Sequence, residues 1–467
     1  MARMNSLYIM VFACFLSACS DPHLDIFPPL EDPKLVSEKL AVDKMREDVD
    51  AFYYGALERH PSLADYADQA ALKAAVAEIK AGISEPLTRL EFFRHVGQLT
   101  HKFGDGHSML IWPYQEYEAL REAGTKPFPF LVHIDQKDQL LIKEGQSDAK
   151  GVHIAAGSRI ASINGIPADQ LINTMQRYVG GETEYLRKQF VAGRFPIYLW
   201  AVYGIAGDFS LELETGANTV SQTITNTQDW QVKGGAGENG QAFSYRMLPD
   251  GTAFLHIGHF DIDPDWFENF TDEAFTAFQK AGASSLIIDV RENTGGNTDT
   301  AMYLARYIAD KPFRMISRMR EKLNHDNRGF MNYKGEVGEV IDTAWDDWID
   351  PVGDTKRWRG STYVLISPIT YSSGIVFAST VKDFGFATLI GQETGGNANQ
   401  TAQGNLFNLP HSQLRAYITT RMLVRPSGSL APGGVKPDHS VHATQVTLRD
   451  GRDVELEKAL ALIDESR

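Results

Sequence analysis

Ser372 stands where an apolar run, Tyr363-Val-Leu-Ile, gives way to a helical pattern that begins at Ser373. A strand followed at once by a helix lifts a side chain out of the sheet. The first N–H groups of such a helix have no acceptor within it and converge on one point, a ready anion site. A hydroxyl placed there can attack a carbonyl while the Ser373 N–H faces the oxygen that becomes negative. Capping the helix is the plainer use of Thr370, Ser372 or Ser373, and one of the three suffices for it. A serine hydroxyl is also a weak nucleophile until a base takes its proton. His107 sits in Asp105-Gly106-His107-Ser108, a turn bounded by glycine and polar residues rather than an apolar stripe. Imidazole titrates near neutral pH, as a base for serine must. Gly295-Gly296 follows another buried run, Leu286-Ile-Ile-Asp-Val. Glycine there lets backbone approach a ligand closely, since no Cβ intrudes.

Other chemistries lack their residues. The sequence has two cysteines, Cys14 and Cys19, both near the N-terminus, so a cysteine nucleophile or thiolate metal site is not expected. His256 and His259 are three apart on an expected strand and point to opposite faces, and His439 and His442 lie in extended sequence. No His-Glu-x-x-His occurs, and no metal or cofactor is implied. A formal net charge of -15 argues against a nucleic-acid partner, because phosphate binding needs a basic surface.

The elements that must position these groups divide the chain. Residues 7–16 are an apolar run behind Arg3, the length of a signal-peptide core and too short to span a bilayer. Leu16-Ser17-Ala18-Cys19 then resembles a bacterial lipobox. The expectation is a signal peptide over 1–18, with Cys19 lipidated and the chain anchored to the outer membrane, facing the periplasm or cell surface. Residues 19–34 read as a tether. Residues 35–115 read as a helical domain that ends in the turn bearing His107. Residues 116–235 turn β-rich: Arg159-Ile-Ala-Ser-Ile-Asn164-Gly165 carries a hairpin signal and precedes a helix, an order that resembles a PDZ-like module. Residues 236–467 alternate strand and helix, as a layered α/β core does.

His101 to Ser108, Leu286 to Gly296, and Tyr363 to Gly374 follow one another in the order found in the C-terminal-processing peptidases. Leu389-Ile-Gly-Gln-Glu-Thr-Gly-Gly396 and Gly434-Val-Lys-Pro-Asp438 complete the set. The chain resembles that family, especially its tricorn-like branch, over roughly residues 90–446. The resemblance implies a crotonase-like α/β core of ββα units. It also implies a serine peptidase acting on peptides or unfolded protein, with Ser372 as nucleophile. An oxyanion N–H is implied at Gly295 or Gly296, and Asp289, Arg291 and Asn293 become polar anchors. Processing peptidases carry a lysine about 25 residues past the serine, where this chain reads Gly395-Gly396-Asn397; Lys382 is badly placed on the helix. The tricorn-like branch instead uses a histidine where His107 stands. Its glutamate, three residues before the Gly-Val, is replaced here by Ala431, which leaves Asp105, Glu393 and Asp438 as candidates to orient His107. That departure also keeps open a binding protein on the same fold. An esterase would use identical groups, although the Gly-x-Ser-x-Gly elbow is absent.

Overall fold

Strands that carry apolar side chains on both faces need cover on both, and Ser285–Asp289 and Ser361–Ile366 obtain it at the centre of a six-stranded sheet. The structure, a computed structural model, describes residues 26–215, 218–226, 230, 242–328 and 335–466. In spatial order the sheet runs Phe243–Met247, Ala253–Ile257, Ser285–Asp289, Ser361–Ile366, Thr388–Gly391 and His439–Ser440. The first pair is antiparallel and the remaining pairings are parallel. Helices Pro264–Lys280, Thr298–Ile308 and Ser373–Phe384 each follow a parallel strand. Local chemistry fixes where two of them start. Asp263 accepts the Trp266 N–H ahead of Pro264, and Asn297 accepts the Asp299 N–H.

The expected crotonase-like core of ββα units is not what the chain builds. Within the core sheet, helices alternate with single parallel strands. The extra strands leave it: Arg318–Lys322, Val340–Ala344, Gln400–Asn408 and Arg415–Val424 form a separate antiparallel sheet. That sheet is completed by Met109–Leu110, paired with Arg415–Val424 just past the turn that bears His107. The second sheet therefore ties the N-terminal helices to the later part of the chain.

Helices Val42–Arg59, Gln69–Gly82 and Arg89–Val96 precede a 3-10 turn that ends at Gly104, in the left-handed region. The stretch expected as a tether is described from Ile26 onward, and there it lies on the body. Phe27 packs edge-on against Tyr114, and the Tyr114 hydroxyl donates to the Pro28 carbonyl at 2.7 Å. The β-rich stretch pairs Val132–Ile134, Leu140–Ile142, Arg159–Ile163, Phe209–Thr215 and Asn218–Ile224 in one sheet. Its Asn164-Gly165 turn has φ of 50° and 77° and closes Ile163 onto Ile166, the two-residue hairpin that the sequence signals. Residues 1–25, with Cys14, Cys19 and the expected signal peptide, lie outside the described residues. Among those described, no helix is long and apolar enough to cross a membrane.

Candidate active site

Ser372 occupies the N-cap of Ser373–Phe384 with φ 54° and ψ -123°, a conformation an L-residue adopts only under constraint. Its side chain makes no capping bond, so the hydroxyl is not spent on the helix. Neighbouring groups hold the strained turn. Tyr371 N–H donates to the Asn293 carbonyl at 2.9 Å, and Gln400 Nε2 donates to the Ser372 carbonyl at 2.8 Å. Thr370 Oγ1 reaches back to the Val290 carbonyl at 2.8 Å. Backbone strain of this kind is worth about 1–3 kcal/mol and persists only where its surroundings over-determine it.

Gly295 lies directly against this turn and Gly296, next to it, against Phe260 and Asp261, with φ of 113° and 132°. A Cβ on Gly295 would stand 2.5 Å from Ser372 Cβ and 3.1 Å from its Oγ. Asn293 shapes the pair: its Oδ1 accepts the Gly295 N–H at 2.9 Å, while its Nδ2 donates to the Ile257 carbonyl at 3.3 Å. The Gly295 N–H is therefore occupied, whereas the Gly296 N–H makes no hydrogen bond among the described residues. Ser373, as the first helical residue, has an N–H without an acceptor inside its helix. Asp289 and Arg291 anchor the strand end. Arg291 pairs with Asp289 at 2.7 Å and with Asp453 at 2.7 Å, and this guanidinium holds the buried Asp289 carboxyl well below its usual range against the cost of burial.

The loop from Gly104 brings His107 to the residue before the serine. The imidazole stacks on the Tyr371 ring with centroids 4.8 Å apart and planes at 29°. A Cβ on Gly106 would sit 2.3 Å from the Tyr371 hydroxyl, so only glycine permits this approach. His107 Nδ1 lies 3.1 Å from Thr401 Oγ1 and 3.2 Å from the Tyr371 hydroxyl. The Thr401 hydroxyl donates to Asp105 Oδ1 and the Tyr371 hydroxyl donates to Glu182 Oε1 at 2.9 Å. With Glu182 ionised, each hydroxyl has spent its proton, so each shows Nδ1 a lone pair, and the ring proton belongs on Nδ1. Nε2 is then a bare acceptor; it is buried and has no partner among the described residues.

Asp105 is fully buried and takes the Ser108 hydroxyl, the His107 N–H and the Thr401 hydroxyl. Its Oδ2 also lies 3.5 Å from His60 Nε2, whose ring is turned by the Ser62 N–H donating to Nδ1 at 3.1 Å. Burial pushes the carboxyl up, but the bonds and charge from His60, His107 and Ser108 outweigh it and hold Asp105 well below the usual carboxylate range. Burial lowers the His107 imidazole, with the Asp105 charge opposing. At neutral pH the pair is thus a neutral imidazole over a carboxylate.

The structure brings Ser372, Ser373, Gly295, Gly296, His107 and Asp105 together. It does not bring the other two candidate acids there. Asp438 pairs with Lys382 and accepts the Leu389 N–H at 2.9 Å. Glu393 is exposed and accepts the Gly434 N–H at 2.9 Å. Ala431, in the exposed loop beyond, offers no carboxylate. Sequence reasoning missed Thr401, Tyr371, Glu182 and His60. Tyr371 adjoins the serine and Glu182 follows Gly180-Gly181, which are faint signals; Thr401 lies in a polar strand and has none. Among the described residues no group of three metal-ligating side chains occurs.

Residues 251–441 match the model of peptidase family S41. The fold is similar to that of mature CPAF, with a TM-score of 0.63 at 14% identity, covering 87% of this chain and 94% of that one. It is likewise similar to mature CPAF complexed with lactacystin, with a TM-score of 0.64 at 13% identity and coverage of 90% and 98%. A point mutant of CPAF gives 0.66 at 13% identity, with coverage of 88% and 94%. The architecture is thus of the CPAF type rather than the crotonase type. The chain is a serine-type peptidase. Within that class it is homologous to peptidase family S41 over residues 251–441.

Proposed function

We propose that Ser372 is the nucleophile of this peptidase, with His107 its base and Asp105, reached through Thr401, the acid that orients the base. The observation that carries the reading is the chain His107 Nδ1, Thr401 Oγ1, Asp105 Oδ1, which leaves His107 Nε2 free beside the Tyr371-Ser372 step. In the first step Nε2 takes the Ser372 proton as Oγ attacks the scissile carbonyl. The charge that forms on the carbonyl oxygen meets the N–H groups of Gly296 and Ser373; one such donor is worth about 10²–10³ in rate. The imidazolium is stabilised by Asp105, whose charge is kept by its own hydrogen bonds. His107 then gives its proton to the leaving amine, and water repeats the sequence on the acyl-enzyme. Asp105 thereby supplies what Ala431 cannot.

The substrates are peptides and unfolded protein. The β-rich stretch at 116–235, read as PDZ-like, would receive an extended chain end by strand addition. Cys19 carries the lipid that holds the enzyme at a membrane, facing the periplasm or cell surface; labelling with radioactive palmitate, lost in Cys19→Ala, tests that placement. For the chemistry, purified protein is incubated with unfolded casein beside Ser372→Ala and His107→Ala. Cleavage lost in both variants supports the assignment. Cleavage that survives His107→Ala puts the base elsewhere, and a wild type that cleaves nothing favours a binding role on this fold.

A further inference from the structure

We propose that Glu182, acting through the Tyr371 hydroxyl, is a second positioning residue for His107: it holds the imidazole in its Nδ1–H form and shares the positive charge that forms there. This rests on the reading of His107 as the base. The Tyr371 hydroxyl has a single proton, given to Glu182 Oε1 at 2.9 Å, and so presents only a lone pair to His107 Nδ1 at 3.2 Å. The stacked ring fixes that hydroxyl against the imidazole. Glu182 is otherwise poorly provided for. Its Oε2 is shut away from solvent and has no hydrogen-bond partner among the described residues. A buried carboxyl left with one oxygen unsatisfied is expensive, which makes a purely structural role a poor account of it.

The groups that face Glu182 come from several elements. Asp105 approaches from the turn that bears His107, Tyr371 from the serine turn, Tyr66 from the N-terminal helices, and Arg187 from the helix that Glu182 precedes. Burial first, then the Asp105 charge, pushes the Glu182 carboxyl up to about 8, against the Tyr371 hydrogen bond and Arg187. The carboxyl therefore changes charge in the range where a histidine base works. Once Glu182 is protonated on Oε1, it becomes the donor to Tyr371. The tyrosine hydroxyl is then free to point at Nδ1, which favours the Nε2–H form, already protonated where the base must act. Ionisation of Glu182 restores the working form. The arm through Thr401 is independent of this and keeps part of the population correct at any pH.

The test is the pH profile of kcat/KM on an unfolded-peptide substrate for wild type, Glu182→Gln, Tyr371→Phe, the double variant and His107→Ala. It is paired with the ¹⁵N signals of the His107 ring in the wild type between pH 6 and 9. The expected wild-type profile rises with ionisation of Glu182, and the Nδ1–H fraction rises with it. Glu182→Gln loses that limb and falls about tenfold at pH 8.5, within the range a positioned base contributes. Tyr371→Phe does the same, and the double variant is no worse than either alone. A wild-type tautomer that does not change with pH, or a limb that survives in Glu182→Gln while His107→Ala is inactive, overturns the second arm and leaves the base in place. An active His107→Ala overturns the base assignment and the proposal with it. The ring signals need no variant, so a substitution that fails to fold leaves a decisive measurement.

Discussion

Thr401→Val removes one oxygen and keeps the shape of the side chain, so it isolates the bridge between His107 and Asp105. Thr401 Oγ1 is buried, 3.1 Å from His107 Nδ1, and donates to Asp105 Oδ1. Two losses follow. Asp105 keeps the Ser108 hydroxyl and the His107 N–H but loses one donor to a buried charge, which costs about 1.5–3 kcal/mol of stability. His107 Nδ1 keeps only the Tyr371 hydroxyl as acceptor, at 3.2 Å. The bond through Thr401 strengthens when the imidazolium forms, so its loss falls on the transition state. If one to two factors of about 1.4 kcal/mol are forfeited there, kcat drops about 10- to 100-fold with little change in KM. The assay is steady-state hydrolysis of an unfolded-peptide substrate beside urea unfolding of the same preparations. Thr401→Ser restores the hydroxyl and should recover most of the rate. A Thr401→Val enzyme with kcat within twofold of wild type, though measurably less stable, would refute the bridge.

Gly295→Ala places a methyl 2.5 Å from Ser372 Cβ at a φ of 113°, so the serine must move; kcat should fall about 10²-fold or more, while the circular-dichroism spectrum stays native. Arg291→Ala leaves Asp289 buried without its cation; urea denaturation should show a loss of about 3–5 kcal/mol. Glu182 binds its proton more tightly when folded, since burial and the Asp105 charge raise it from 4.5 to about 8. Its stabilising share is therefore full at acid pH and is lost as pH climbs through that window. Thermal melts should show wild type losing more stability than Glu182→Gln between pH 5 and 8.5.

Much of the serine turn was legible because its signals are local. The apolar run before Ser372 and the helical pattern after it place the residue at a strand-to-helix step, and the structure starts the helix at Ser373. Gly295-Gly296 and the Asn164-Gly165 hairpin are likewise backbone requirements written in residue type. Around His107 the legibility fades. The residues that set its tautomer, Thr401, Tyr371 and Glu182, lie 294, 264 and 189 positions from their partners along the chain. Only tertiary packing brings them together, and no periodicity encodes it. The expected ββα core failed for a related reason. Strands such as Gln400–Asn408 and Arg415–Val424 look alike in sequence whichever sheet they join, and the pairing of Arg415–Val424 with Met109–Leu110 depends on the N-terminal part of the chain.

The most direct test of the central claim is a covalent one: treatment of the wild-type protein and His107→Ala with a serine-directed fluorophosphonate, followed by peptide mapping. A single adduct on Ser372, slowed at least ~10³-fold in His107→Ala, is the predicted result, since an unassisted hydroxyl reacts poorly. An adduct on another residue, or labelling of Ser372 that is indifferent to His107, would contradict the account.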